Sequence, residues 1–492
     1  MRVPPPWSVA AATVVAAAAA LRIARLAAKS LWFDETYSVF VASLPIGRLL
    51  TITALNDAHP PLYYLMLHVW MRLFGDGEIA VRLPSMIFSV AVVLVTWLFG
   101  RRLVGPAAAL VAAALVAIAP SQVAAGQEAR MYGLLSLTAL CSWWALWTAV
   151  EAERPRAWFA YVAATAAMVF GHYYGFFVIA SQAIYLVWRR PAARVWQKWV
   201  IAGAGVVVVL LPWLPAMVGQ ISSGRAWPAF RPPLSPLLLM DTMAYLTLGR
   251  PVFDVVGSEA LPRTLAWVLI SLAAAAAIGG YRTVSRDRGA PALLVCAGIV
   301  PVVSSFAVSY AIHVFAPRYL LFALPPLAML AASGIATTRS PGWMRTVVVV
   351  GLGVMMLVNA SALVRFYRQP RLDVFDWRKV SQTLAAQTRD GDVIVFLPGF
   401  ARIPVNYYFR GPEPRIALTP NGADVIGPGG VRLPAVVSML VQHPRVWIVT
   451  VPPVPPSVET LIAALGQASY TVEAREAINM ARLLRLERTR PP

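Results

Sequence analysis

Charge is scarce and one-sided. Asp, Glu, Lys and Arg make up 13% of the 492 residues, about half the share of a soluble chain. Only 22 acids stand against 42 bases, for a formal net charge of +20, while 59% of the residues are hydrophobic. So little charge excludes a soluble globular protein and predicts several membrane spans. Cysteine is nearly absent: Cys141 and Cys296 lie in separate apolar runs, which excludes a disulfide framework and reads as two small core residues. The sequence has no phosphate-cradling Gly-x-x-x-x-Gly-Lys loop, no zinc-ligand spacing and no basic–aromatic array for nucleic acid. It shows no internal repeat.

What is present is a series of apolar runs, at approximately 7–27, 81–101, 104–123, 131–150, 157–172, 174–188, 199–218, 263–281, 290–312, 317–337 and 343–365. Arg22 and Arg25 stand at the end of the first run and Lys29 just after it, and no small-residue cleavage site precedes "SLWFDE", so it reads as an uncleaved span. The segment "PPLYYLMLHVWMRLF" at 60–74 is short of the ~20 residues a span needs and reads as an interfacial amphipathic helix.

With that segment in the interface, alternate gaps share one side. They hold Arg101 and Arg102; Arg154 and Arg156; Arg189, Arg190, Arg194 and Lys198; Arg282, Arg286 and Arg288; Arg339 and Arg345. Basic gaps are cytoplasmic by the positive-inside rule. The expected fold is therefore a polytopic α-helical membrane protein of about eleven spans, with interfacial helices in the first external loop. The composition changes near residue 366. "DVIVFL" and "RVWIVTV" read as strands, and "DWRKVSQTLAAQ" and "SVETLIAALGQ" as helices capped by Asp or Ser. The expected division is a membrane domain at 1–365 and a soluble, extracytoplasmic α/β domain at 366–492.

This topology gathers the unexplained polar residues on the external side. Asp34 and Glu35 stand in "SLWFDETYSVF", and Asp57, His59 and Tyr63 in "NDAHPPLYY". Gln127, Glu128, Arg130 and Tyr132 stand in "GQEARMY", His172, Tyr173 and Tyr174 in "GHYYG", and His313, Arg318 and Tyr319 in "HVFAPRYL". Each has an ordinary explanation. Asp34 suits an N-cap of a helix starting at Glu35 or Thr36, His59 a turn before two prolines, and Arg318 a side chain snorkelling to the interface. Taken together, ionisable groups at membrane depth mark a functional site. Their chemistry suits group transfer from a lipid-linked phosphate, with an arginine on the leaving phosphate and a carboxylate deprotonating the attacking hydroxyl.

In this order, "SLWFDETYS", "HPPLYYLMLHVWMRLFG", "RLPSMIFSV", "QEARMYGLL" and "APRYLLFALPPLAML" resemble the membrane-embedded GT-C glycosyltransferases. The similarity is to the family of protein O-mannosyltransferases and the lipid A aminoarabinose transferase, and it covers about residues 7–365. It implies an inverting enzyme that takes sugar from a polyprenyl-phosphate carrier outside the cytoplasm, in the inner or plasma membrane. By that resemblance Asp34 is the catalytic base, Glu35 supports it and Glu128 is the second acid. His59 stands near the donor phosphate, where the lipid A enzymes carry lysine, and Arg318 and Tyr319 contact the phosphate. Tyr63, Arg130, His172, Tyr173 and His313 complete the expected substrate-binding set. The large repeat-containing insertion of the protein mannosyltransferases is missing, so the expected acceptor is a lipid or glycan. Asp34, Glu35 and Glu128 are acids of the type that holds a divalent cation; no metal or other cofactor is assigned. The expected partners are the lipid-linked donor, its acceptor and membrane lipids, without nucleic acid. The alternative is a transporter or flippase of lipid-linked sugars. Such proteins show repeated halves and midplane polar sites; this chain has its polar groups at the external ends of the runs.

The charge pattern makes a test of sidedness. In intact cells, single-cysteine probes at Ser223 and Ser438 should react with an impermeant thiol reagent, and one at Ala193 only after permeabilisation. Labelling of Ala193 from outside would reverse the assignment.

Overall fold

The computed structural model describes residues 6–222, 233–248, 289–312, 314–336, 342–368, 375–411, 414–417 and 433–489. His313, the predicted span 263–281 and Arg282, Arg286, Arg288 and Arg339 lie outside the described residues. Two compact units divide the chain: Met1–Leu26 with Ala42–Arg368, and Ala27–Val41 with Gln369–Pro492.

The first unit is helical. Among the described residues, six helices are long and apolar enough to cross a membrane: Pro6–Ile23, Glu78–Leu103, Tyr132–Ala152, Ala193–Ser222, Gly289–Val308 and Thr346–Arg368. Large apolar side chains such as Phe159, Ile201, Val208 and Leu357 point outward, as lipid-facing surfaces require. These features describe a multi-pass membrane protein. The expected runs 157–172 and 174–188 are the helices Pro155–Gly171 and Gly175–Arg189, of 17 and 15 residues.

Runs 104–123 and 317–337 are among the expected spans that are not single α-helices. Run 104–123 breaks into Pro106–Ile118 and Pro120–Gly126, bent by 62°. Pro120 has no N–H and pushes the residue before it out of the helical region, and Ala119 is accordingly extended at φ −63° and ψ 118°. Run 317–337 starts as a 3-10 turn, Pro317–Ala323, and becomes α-helical over Leu324–Ser333. The pair Pro325–Pro326 fits only a first helical turn, so the helix restarts there.

Arg22 lies in the last turn of helix Pro6–Ile23 and is fully buried. Its guanidinium donates to Ser89 Oγ at 2.7 Å, to Ala18 O and Ala117 O at 3.1 Å, and to Val116 O at 3.5 Å. The carbonyls of Val116 and Ala117 are among those left open where Pro120 interrupts the helix. Gly126 makes this packing possible, since a Cβ there would lie 2.8 Å from Ser89 Cβ. At one end of the unit, Glu153 pairs with Arg194 at 2.8 Å and Lys198 at 3.2 Å, and Glu151 with Arg189 at 3.0 Å. Two of the basic gaps thus meet.

The second unit is an α/β/α sandwich. Strands β1 (Val393–Leu397), β2 (Arg415–Ala417), β3 (Arg445–Thr450), β4 (Tyr470–Ile478) and β5 (Ala481–Arg488) form one sheet in the order β2-β1-β3-β5-β4. β1 runs parallel to β2 and β3, and the hairpin β4–β5 closes the sheet antiparallel to β3. Every residue of β1 is buried because both faces are covered. Val393, Val395 and Leu397 face the helices Leu433–Leu440 and Pro456–Gln467. Ile394 and Phe396 face Trp377–Gln387 and Arg402–Tyr408. Asp376 caps Trp377–Gln387 as expected, accepting from Lys379 N at 3.1 Å. Ser457 caps nothing: its helix starts one residue earlier, at Pro456.

Candidate functional site

The first unit gathers four of the predicted loops at one end of its helices. Asp57 follows helix Ile46–Asn56 and turns the chain toward the two prolines. Its Oδ1 accepts the backbone N–H of Ala58 at 2.6 Å and of His59 at 3.0 Å, and faces His59 Nδ1 at 2.8 Å. Its Oδ2 accepts from Tyr64 OH at 2.6 Å. An aspartate bonded to its own following backbone builds a turn; here the same carboxylate also fixes the orientation of the His59 ring. Arg130 Nη1 lies 3.4 Å from Tyr64 OH, which links the "GQEARMY" loop to this turn. Burial alone would push the Asp57 carboxyl up, but His59, Arg130 and Tyr64 together hold it below its ordinary value.

His172 sits in the tight link between Pro155–Gly171 and Gly175–Arg189. Its ring packs edge-on to His59 at 5.2 Å and against Tyr319 at 4.5 Å. Its Nδ1 accepts the Tyr174 N–H at 3.1 Å, so the proton of the neutral ring is on Nε2. That nitrogen is buried and has no hydrogen-bond partner among the described residues. Burial, then the electrostatic influence of His59, Arg130 and Arg318, pushes the imidazole well below its usual value. His172 is therefore a neutral donor among cationic neighbours.

Tyrosines hold the loops in register. Tyr174 OH donates to Val314 O and accepts from Ala316 N at 2.9 Å, which anchors the strand of chain leading to Arg318. Arg318 lies in the 3-10 turn Pro317–Ala323, half-buried, with its guanidinium 5.3 Å from the Tyr319 ring centre. Tyr173 OH bonds Gln220 and accepts from Trp213 Nε1 at 2.9 Å; burial pushes this phenol up to about 12. Gln220 Nε2 donates to Thr53 O at 2.7 Å and to His59 O at 3.4 Å, so Tyr173 positions the His59 loop from beneath. Tyr63 is buried, with its OH on Ser85 Oγ at 2.9 Å, and Ser85 in turn holds Arg130 O at 2.9 Å. Glu128 is half-buried, and its carboxylate makes no hydrogen bond among the described residues.

Asp34 and Glu35 belong to the second unit. Their helix starts at Phe33, so Asp34 is in its first turn and is not the N-cap, contrary to the capping expectation. Glu35 does that work: its Oε2 accepts the Trp32 N–H at 3.2 Å, the reciprocal half of a capping box. Both acids also suit the positive end of the helix dipole. Among the described residues, no three His, Cys, Asp or Glu side chains group as metal ligands do.

Sequence reading named His59, Arg130, His172, Arg318 and Tyr319, and the first unit brings them together. It left the roles of Asp57, Tyr64, Gln220 and Ser85 unassigned. The Asp-x-His spacing at 57–59 was the one available signal; Gln220 is distant in sequence and has none.

The Asp57 network gives a pH-dependent prediction. Its folded pKa lies below the ordinary 3.8, so its stabilisation is present above that value and is lost as pH falls through the folded pKa. Asp57→Asn should cost roughly 1.5–3 kcal/mol at pH 7, the scale of hydrogen bonds to a charged group. In thermal unfolding, the gap to wild type should stay constant down to about pH 4 and narrow below it. A gap that is absent at pH 7, or that widens in acid, would contradict the network.

Residues 58–218 match the family described as dolichyl-phosphate-mannose-protein mannosyltransferase. The crystal structure of apo ArnT from Cupriavidus metallidurans superposes with a TM-score of 0.65 at 15% identity, covering 96% of this chain and 97% of that one. The same protein bound to undecaprenyl phosphate gives a TM-score of 0.64 at 17% identity, over 98% of both chains. An oligosaccharyltransferase from Archaeoglobus fulgidus, in complex with Zn and sulfate, gives 0.55 at 13% identity over 89% of this chain and 67% of that one. A comparison with curated proteins found no match. The chain resembles the GT-C glycosyltransferases, and its fold is the one these solved structures share.

Proposed function

We propose that the protein transfers a sugar from a polyprenyl-phosphate-linked donor to a hydroxyl of a lipid or glycan acceptor, on the extracytoplasmic side of the membrane. The observation that carries this reading is the convergence of His59, Arg130, His172 and Arg318 from four loops onto one end of the helical unit. A cluster of cations and a neutral N–H donor suits an anionic headgroup. Undecaprenyl phosphate is bound by the ArnT structure of similar fold, and the same class of carrier is the donor proposed here.

In this reading Arg318 and His59 hold the donor phosphate, and His172 Nε2–H donates to an oxygen of the bound donor. Arg130, Tyr319, Tyr63 and Tyr173 shape and brace the pocket. Asp34 accepts the proton of the acceptor hydroxyl as its oxygen bonds to the anomeric carbon. The bond from that carbon to the phosphate oxygen breaks, and the electron pair leaves with the phosphate, inverting the centre. Glu35 fixes the first turn of the helix that carries Asp34. Glu128, whose carboxylate is not bonded among the described residues, is the second acid.

The test is transfer from defined polyprenyl-phosphate sugars with mass detection of the product, alongside direct donor binding. Asp34→Asn keeps size and polarity but cannot take the proton. It should bind donor normally and turn over about 100-fold more slowly or worse, the scale of lost general-base help. Arg318→Ala should weaken donor binding about 10- to 150-fold, against no change for Arg194→Ala at the opposite end. Wild-type turnover in Asp34→Asn would move the base to Glu128. Donor binding without any transfer by the wild-type protein would favour a carrier of lipid-linked sugars.

A further inference from the structure

The second unit has the topology of a ligand-binding α/β sheet. From β1 the chain passes through Arg402–Tyr408 to β2, on one side. From β3 it passes through Pro456–Gln467 to the β4–β5 hairpin, on the other. β1 and β3 are parallel neighbours whose connections leave in opposite directions. This is the switch point at which open α/β sheets open a crevice beyond the carboxyl ends of the strands and bind ligands.

The residues at this end of β1 are engaged by the chain itself. Phe400, in the turn following β1, packs edge-on against Phe33 with ring centres 5.0 Å apart. Phe375 and Arg378 stand at the start of the helix leading into β1. Phe375 O accepts from Ser30 Oγ at 3.4 Å, and Arg378 Nη2 donates to Ala27 O at 3.1 Å and Lys29 O at 3.2 Å. Tyr408, at the end of the helix following β1, accepts the Leu31 N–H at 2.6 Å. All these partners hold Ala27–Phe33, the stretch that leads directly into the helix turn carrying Asp34.

We infer that the C-terminal unit is a seat for its own chain: the helices and turn that flank β1 on one face of the sheet take the segment Ala27–Phe33 as a built-in ligand and thereby fix Asp34 for turnover. The role of Asp34 rests on the reading proposed above; the seat does not. Phe400, Tyr408 and Arg378 are then positioning residues. Backbone N–H and C=O groups of a mobile loop would otherwise turn to water, and each side chain that engages them lowers the entropy of the acidic turn before substrate arrives.

The experiment uses the full-length protein in lipid nanodiscs and compares wild type with Phe400→Ala/Tyr408→Phe and with the conservative Phe400→Tyr. Hydrogen exchange of the peptides covering 28–41 and 393–397 is read together with donor affinity and turnover. The double variant should exchange about 10-fold faster over 30–36, the scale of one lost hydrogen bond, while 393–397 stays protected and the sheet stays folded. Its turnover should fall by about as much with donor affinity unchanged, and Phe400→Tyr should keep both. Unchanged exchange over 30–36 would overturn the seat, whatever the activity. Faster exchange with unchanged turnover would overturn its coupling to Asp34. Absence of transfer by the wild type with every donor would count against the transferase reading alone, because the exchange comparison still decides the seat.

Discussion

A guanidinium buried among apolar helices governs the membrane unit. In hydrocarbon every backbone polar group needs an internal partner, and Pro120 opens a break that leaves carbonyls without one. Arg22 reaches across from the first helix to Val116 and Ala117 and is itself held by Ser89. Gln127, just past the break, returns the exchange by donating to Arg22 O at 3.0 Å and Ala24 O at 2.9 Å. The bend that follows carries the chain into the loop of Glu128 and Arg130. An arginine placed at this depth is expensive, and two of its acceptors, the carbonyls of Val116 and Ala117, are open because the neighbouring helix is broken.

The candidate site is built in the same manner, with rigid helices underneath and loops tied by long-range polar bonds above. Tyr174 fixes the approach to Arg318, and Gln220 fixes the His59 turn. Asp57 has both carboxylate oxygens taken up by surrounding donors. It balances part of the positive charge of Arg130. His172, forced neutral, presents an N–H where another cation would be costly to bury.

The two adjacent acids show how a shift of one residue separates roles. In the first turn of a helix, successive side chains point about 100° apart. Glu35 therefore folds back on the Trp32 amide while Asp34 is directed elsewhere. The two neighbouring acids therefore hold different places in one helical turn, and Glu35 is the one that closes it.

Composition and apolar periodicity were enough to specify a multi-pass membrane protein with a following α/β segment, because burial in lipid or in a parallel sheet leaves long, unmistakable runs. The motifs at 34–35, 57–59, 128–130, 172–174 and 318–319 were visible as polar residues out of place. Local pattern could not show that run 104–123 bends or that run 317–337 begins as a 3-10 turn, although prolines marked both. It could not show that Arg22 is buried among helices and not snorkelling, since the two share one sequence signature. The partners that give the site its chemistry belong to the tertiary structure alone. Gln220 meets the His59 carbonyl across 161 residues and Tyr408 meets the Leu31 amide across 377. No periodicity within a helix or strand can encode a hydrogen bond that forms only when distant segments pack.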